Sequence, residues 1–224
     1  MIDAWAVIGG ERELLSPPEH WTWKRQGPFS HGWKVGDMIF VGGQRSLDKN
    51  GDIIGAGDIE VQTDNAFRNL DTMLRAAGGD RNSLMRQNTF FKFFAEGPDV
   101  TAYWEKMTKV RRRYMSSPSA AGAGLRINGF PDASELIQVE GIGVLGEDKQ
   151  RLQPANHWDW SIPGNNFTQG WKIGNLAFIG GQISADGNAK AVGKGDLAAQ
   201  TRNVFNFIRR TLAEGFLHEA GVAK

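Results

Sequence analysis

The chain has 224 residues, of which 40% are apolar and 23% charged, with 26 Lys and Arg against 25 Asp and Glu and no cysteine. That balance suits a globular protein of one to two domains and gives no global attraction to nucleic acid or an anionic membrane. It excludes a disulfide framework, a thiolate nucleophile and a thiolate metal site, and no apolar run approaches the ~20 residues that span a bilayer.

In chain order, residues 1–19 read as an N-terminal extension. Trp21 to Trp23 and Trp33-Lys34 predict a hairpin about the turn signal Gln26-Gly27-Pro28. Met38-Ile39-Phe40-Val41 is a short apolar run that ends at Gly42-Gly43, which predicts a buried strand. Asp58 is placed to cap a helix whose inward face is Ile59, Thr63, Ala66, Leu70, Met73, Leu74 and Ala77, stopped by Gly78-Gly79. The aromatic stretch from Asn88 to Phe94 predicts a strand, and Val100 to Tyr114 a second helix. Gly124-Leu125-Arg126-Ile127 and Leu136 to Val144 complete a β-β-β-α-β-α-β-β order. A sheet with both helices on one face is the economical way to bury these surfaces, so the fold class is α+β with a mixed sheet.

The chain also repeats itself. His20-Trp21-Thr22-Trp23 recurs as His157-Trp158-Asp159-Trp160, and Phe29 to Phe67 recurs without a gap as Phe167 to Phe205, an offset of 138. Gly42-Gly43-Gln44 matches Gly180-Gly181-Gln182, and Gln62-Thr63 matches Gln200-Thr201. A period this long marks a domain duplicated in tandem, since solenoid repeats run ~20–50 residues. The predicted organisation is therefore a complete domain over 20–147, a linker over 148–156 and a partial second domain over 157–224. The second copy has 68 residues where the first uses 126 from His20 to Leu145, and its helix carries an insertion around Gly215-Phe216-Leu217-His218. Such a remnant leaves an open sheet edge and uncovered apolar surface, which predicts either a longer parent protein or cover from the first copy, with the former preferred.

Gly27-Pro28-Phe29-Ser30-His31-Gly32, the run from Val35 to Gln44, Gly57-Asp58-Ile59, Gln62-Thr63, Ala76-Ala77-Gly78 and the late Ile137 to Val144 together resemble the RidA (YjgF-type) reactive-intermediate deaminase family. The resemblance implies a chorismate-mutase-like fold and a homo-oligomer with a trimer-like arrangement of domains and ligand clefts between neighbours. It implies hydrolytic deamination of a small imine or enamine, without metal or cofactor. The family's last-strand glutamate matches Glu140, and its Gly-Gln turn matches Gly42, Gly43 and Gln44, with Gly181 as the second copy's counterpart. Its tyrosine is Phe29 here and Phe167 in the second copy. Its substrate-binding arginine falls at Ala120, so Arg126, further along the same strand, is the candidate substitute.

These residues set the expectations. Glu140 is the candidate catalytic acid–base, because a carboxylate inside an apolar strand is costly unless it is paired or used. Phe29, Gly42, Gly43, Gln44, Arg126, Phe167 and Gly181 are the candidate ligand-binding set. Trp21 and Trp23 share a strand face, which fits packing. The four histidines have no spacing that fits a metal site, and Lys109-Val110-Arg111-Arg112-Arg113 reads as a solvated basic face and not as a nucleic-acid site. With no signal-peptide pattern at Met1-Ile2-Asp3-Ala4-Trp5, a cytoplasmic enzyme on a small metabolic intermediate is predicted. The alternative is a non-catalytic small-molecule-binding or assembly module of the same fold.

Overall fold

The computed structural model describes residues 5–24, 27–95, 98–158 and 167–216. Gln26 of the predicted first turn, Asp159-Trp160 of the repeat and Leu217-His218 of the predicted insertion lie outside the described residues.

The first unit is a six-stranded sheet. Its strands are β1 (Arg12–Leu15), β2 (Gly32–Val35), β3 (Met38–Arg45), β4 (Leu84–Lys92), β5 (Ala121–Ile127) and β6 (Ile137–Val144), in the spatial order β1-β2-β3-β6-β4-β5. Only the β4–β5 pair is parallel. Helices α1 (Ile59–Ala76) and α2 (Pro98–Arg111), the latter extended by a 3-10 turn over Arg112–Tyr114, supply the other layer. Alternation along the strands sends Ile39, Val41, Ile137 and Val139 toward the helices, where they meet Phe67, Leu70, Met73, Leu74 and Met107. Each of these side chains contributes roughly 1.5–3 kcal/mol by leaving water. The α+β class and the single helical face agree with the sequence reading.

Helix α1 starts as the sequence predicts. The Asp58 side chain accepts hydrogen bonds from the backbone N–H groups of Glu60 and Val61. Its end is set by Gly78 at φ +82°, a left-handed conformation that glycine adopts without strain.

The first hairpin differs from expectation. Trp21 to Trp23 form no strand; β2 pairs instead with Arg12–Leu15, inside the stretch read as an extension. The alternation in Arg12-Glu13-Leu14-Leu15 spans only four residues, too few to stand out, and Leu15 alone is buried. Trp21 is buried nonetheless, by packing edge-on against Trp23 and His31.

The second unit is a three-stranded antiparallel sheet of β7 (Lys149–Leu152), β8 (Gly170–Ile173) and β9 (Leu176–Ile179), with helix α3 (Leu197–Phe216). Strand β7 lies in the predicted linker. It stands to β8 as β1 stands to β2: Leu15 faces Gly32 and Leu152 faces Gly170. Smaller details recur as well. Glu19 and Asn156 both take φ near +56°, at 57° and 56°. Ser46 Oγ donates to Ile54 O as Ser184 Oγ donates to Val192 O. Gln62 Nε2 reaches Gly55 O as Gln200 Nε2 reaches Gly193 O.

The two units meet through their sheets, on the faces turned away from the helices. Trp171 of β8 and Phe178 of β9 pack with Met85, Ala121, Ile142 and Val144 of the first sheet. The Trp171 indole N–H donates to Ser119 O at 2.9 Å, and the Gly181 N–H donates to Gly122 O at 3.0 Å. The second bond occupies part of the outer edge of β5, which would otherwise present unpaired backbone groups.

Candidate functional site

The outer face of the first sheet is covered by the second unit at one end only. The rest bounds a cavity of about 700 Å³. Its floor is built by strand alternation. On β6, Glu140 and Ile142 point outward; on β4, Arg86 and Asn88 do the same, with Asn88 directly opposite Glu140. Asn88 Nδ2 donates to Glu140 Oε1 at 2.8 Å. The other carboxylate oxygen has no protein partner among the described residues.

Backbone irregularity opens the space beside Glu140. The β3–β6 register shifts between Val41 and Gln44, a bulge that contains Gly42 and Gly43. Gly42 lines the cavity. Gly43 does not; a Cβ there would run into the Gln138 side chain and displace it from the bulge. Gln44 is fully buried and holds the bulge in place. Its Nε2 donates to Gly42 O at 3.0 Å, and its Oε1 accepts from the Trp21 indole at 2.8 Å and lies 2.8 Å from His20 Nε2. Gln44 therefore positions Gly42 and does not touch the cavity.

The remaining candidates lie elsewhere. Phe29 packs edge-on against Trp23 and His31. Arg126, the candidate substitute arginine, sits on β5 with its guanidinium over the Phe93 ring and does not line the cavity. Phe167 packs against Trp158 with ring centroids 4.9 Å apart, and Gly181 sits against Gly122 and Ala123 at the contact between the units. Ala120 is buried in the first unit's core. Of the predicted set, the cavity brings together Glu140 and Gly42.

Sequence reasoning missed Arg86 because it started β4 at Asn88, four residues late, and it gave Asn88 itself no role. The apolar pair Leu84-Met85 was the available signal: it extends the strand N-terminally and places Arg86 on the face of Asn88. It also missed the walls. Trp33 of β2 stands directly opposite Phe40 of β3, and Trp5 and Val7 of the N-terminal segment also line the cavity.

Two histidines behind the bulge are held in the neutral form. Burial lowers the pKa of His20, and burial together with the nearby His20 lowers that of His31 to about 4. No group of three or more His, Asp or Glu among the described residues is arranged to hold a metal ion. No helix among them is long and apolar enough to cross a membrane.

Residues 22–124 match the family described as Endoribonuclease L-PSP. A RutC family protein of Pyrococcus abyssi is 30% identical over 116 residues, which cover 52% of this chain and 85% of that one. The 2-iminobutanoate/2-iminopropanoate deaminase of Mus musculus is 25% identical over 120 residues, covering 54% of this chain and 83% of its own. A solved structure from Thermotoga maritima, 25% identical, superposes with a TM-score of 0.51 over 60% of this chain and 98% of its own. The RidA structure from the Antarctic bacterium Psychrobacter sp. PAMC 21119, at 19% identity and a TM-score of 0.51, shares the fold over 59% of this chain and 99% of its own. Family match, relatives and fold agree, and the chain belongs to the RidA/YjgF family.

Proposed function

We propose that the first unit hydrolyses a small imine or enamine in the cavity that holds Glu140. The observation that carries this reading is the Glu140 carboxylate, fixed on one oxygen by Asn88 at 2.8 Å inside a cavity of about 700 Å³. A carboxylate so placed takes a proton from a water molecule as the water oxygen bonds to the imine carbon. The same proton then goes to the nitrogen. The carboxylate then takes the hydroxyl proton of the resulting amino alcohol and passes it to the nitrogen as the C–N bond breaks, so that ammonia leaves and a carbonyl compound remains. An enamine first accepts a proton at its β-carbon to become the imine. Asn88 keeps the carboxylate oriented so that its free oxygen faces the reacting water.

Names among the relatives support the reading, since the mouse protein is called a 2-iminobutanoate/2-iminopropanoate deaminase. We read the second unit, from β7 to α3, as a partial second domain of the same kind, and the working form as a cytoplasmic homo-oligomer in which domains group in threes. The test is release of ammonia from imines generated in place by an amino-acid oxidase. Acceleration over buffer that falls at least about a hundredfold in Glu140→Ala supports hydrolysis; a rate equal to buffer sinks it.

A second reading is a ligand-binding module without turnover. It is favoured by Ala120, the position where the family resemblance expects the arginine, which is 6% exposed and packed in the core. Thermal stabilisation by keto acids without any ammonia release would favour it.

A further inference from the structure

Arg86 and Glu140 share the cavity, which Arg12 of β1 also lines, and the two do not neutralise each other. Arg86 and Glu140 are diagonal neighbours on one sheet face, because Arg86 stands opposite Ile142 and Asn88 opposite Glu140. Diagonal pairs lie ~7–8 Å apart at their α-carbons, within reach of a long side chain. Yet Arg86 makes no ion pair or hydrogen bond with any described residue, and Glu140 bonds to Asn88 instead. A half-buried guanidinium without a partner beside a free carboxylate oxygen is complementary to a molecule that carries a carboxylate next to a polarised C=N group.

Apart from Arg12, the remaining walls are largely apolar. Trp33 and Phe40 form a cross-strand aromatic pair, and Val35, Trp5 and Val7 continue the apolar surface. A volume of about 700 Å³ is in the range of sites for drug-sized ligands, ~300–1,000 Å³, and a three-carbon acid would leave most of it wet.

The geometry points to Arg86 as the carboxylate anchor of this site, and to 2-imino acids with a bulky apolar or aromatic side chain as its substrate class. The substrate carboxylate pairs with the Arg86 guanidinium, the imine carbon and nitrogen face Glu140, and the side chain lies against Trp33 and Phe40. This rests on the deaminase reading for the reaction but not for the binding, so the two are tested separately.

Binding is measured by calorimetry on the full chain, with phenylpyruvate and pyruvate as product probes. Phenylpyruvate binds at least about tenfold more tightly than pyruvate, and Arg86→Met weakens phenylpyruvate at least about tenfold, while Arg86→Lys, which keeps the charge without the bidentate fork, loses less. Trp33→Ala lowers affinity for phenylpyruvate and leaves that for pyruvate unchanged. Circular dichroism spectra matching the wild type establish that each variant is folded. Equal affinity for the two acids, or an Arg86→Met variant that binds as the wild type does, overturns the assignment. Imines made from phenylalanine and alanine by an amino-acid oxidase then test the chemistry: turnover favouring the aromatic imine extends the assignment to substrate. Arg86-dependent binding with no turnover of either imine rejects the deaminase reading and leaves the anchor in place.

Discussion

Phe67 on α1 and Phe205 on α3 are equivalent residues in the repeat, yet Phe67 is 2% exposed and Phe205 is 66% exposed. In the first unit the Tyr114 ring stacks on Phe67, with centroids 6.2 Å apart, and α2 and β4 close the surroundings. No described element does the same for Phe205. The same contrast holds between Ile59 at 6% and Leu197 at 79%. Phe67→Ala should cost about 3–5 kcal/mol in urea unfolding, the price of a large buried cavity. Phe205→Ala should cost under about 0.5 kcal/mol in the same chain. Comparable losses at both positions, dependent on protein concentration, would mean that another polypeptide covers α3.

Arg45 and Glu135 form an ion pair that is almost wholly buried, at 3% and 4% exposure, with the Arg45 guanidinium stacked over Trp23 at 4.3 Å. Removing one partner strands the other charge away from water. Glu135→Ala is expected to destabilise the chain by about 3–5 kcal/mol, measured by denaturant midpoint. A loss below about 1 kcal/mol would show that Asp132, whose charge also acts on Arg45, takes over the pairing. The second copy has Ile183 at the equivalent position, 37% exposed, so the device belongs to the first unit.

Acid sensitivity should trace to His31. Its folded pKa, lowered to about 4 by burial and by His20, lies below the unfolded value near 6.5. The unfolded chain then binds more protons between those values. Stability is fully present above about pH 6.5 and falls as pH drops toward about 4. After allowance for solvent screening the loss is about 1–2 kcal/mol. His31→Gln, which installs the residue found at the second copy's Gln169, should flatten the pH profile of the melting temperature between those limits. An unchanged slope would shift the cause to His20, which burial also holds neutral.

Asn88 is a positioning residue, and its replacement should separate from that of Glu140. Asn88→Ala frees the carboxylate oxygen now held at 2.8 Å. The expected outcome is a fall in kcat of roughly tenfold to a hundredfold with little change in KM. A change in KM alone would assign Asn88 to substrate contact instead.

The α+β class, both helices and the Asp58 cap were legible because they rest on local periodicity and capping chemistry. Strand β1 was not, since four residues with one buried leucine carry little pattern, and the strand forms only when β2 offers its edge. At the site, Glu140 stood out as a charge in an apolar strand. Arg86 did not, because its importance comes from a cross-strand diagonal to Glu140, 54 positions away in the chain, which no local window contains. Gln44 misled in the opposite direction: its place in a glycine turn resembles a ligand contact, while its amide is consumed by Trp21, His20 and Gly42.

Phe40 and Ile142 each have two neighbours of consequence. They border the cavity, and they also pack into the cluster that contains Trp171 and Phe178 of the second unit. The wall between ligand space and docking contact is thus a single layer of side chains. Substitutions in the second unit can therefore retune selectivity in the first without altering any residue that a ligand touches.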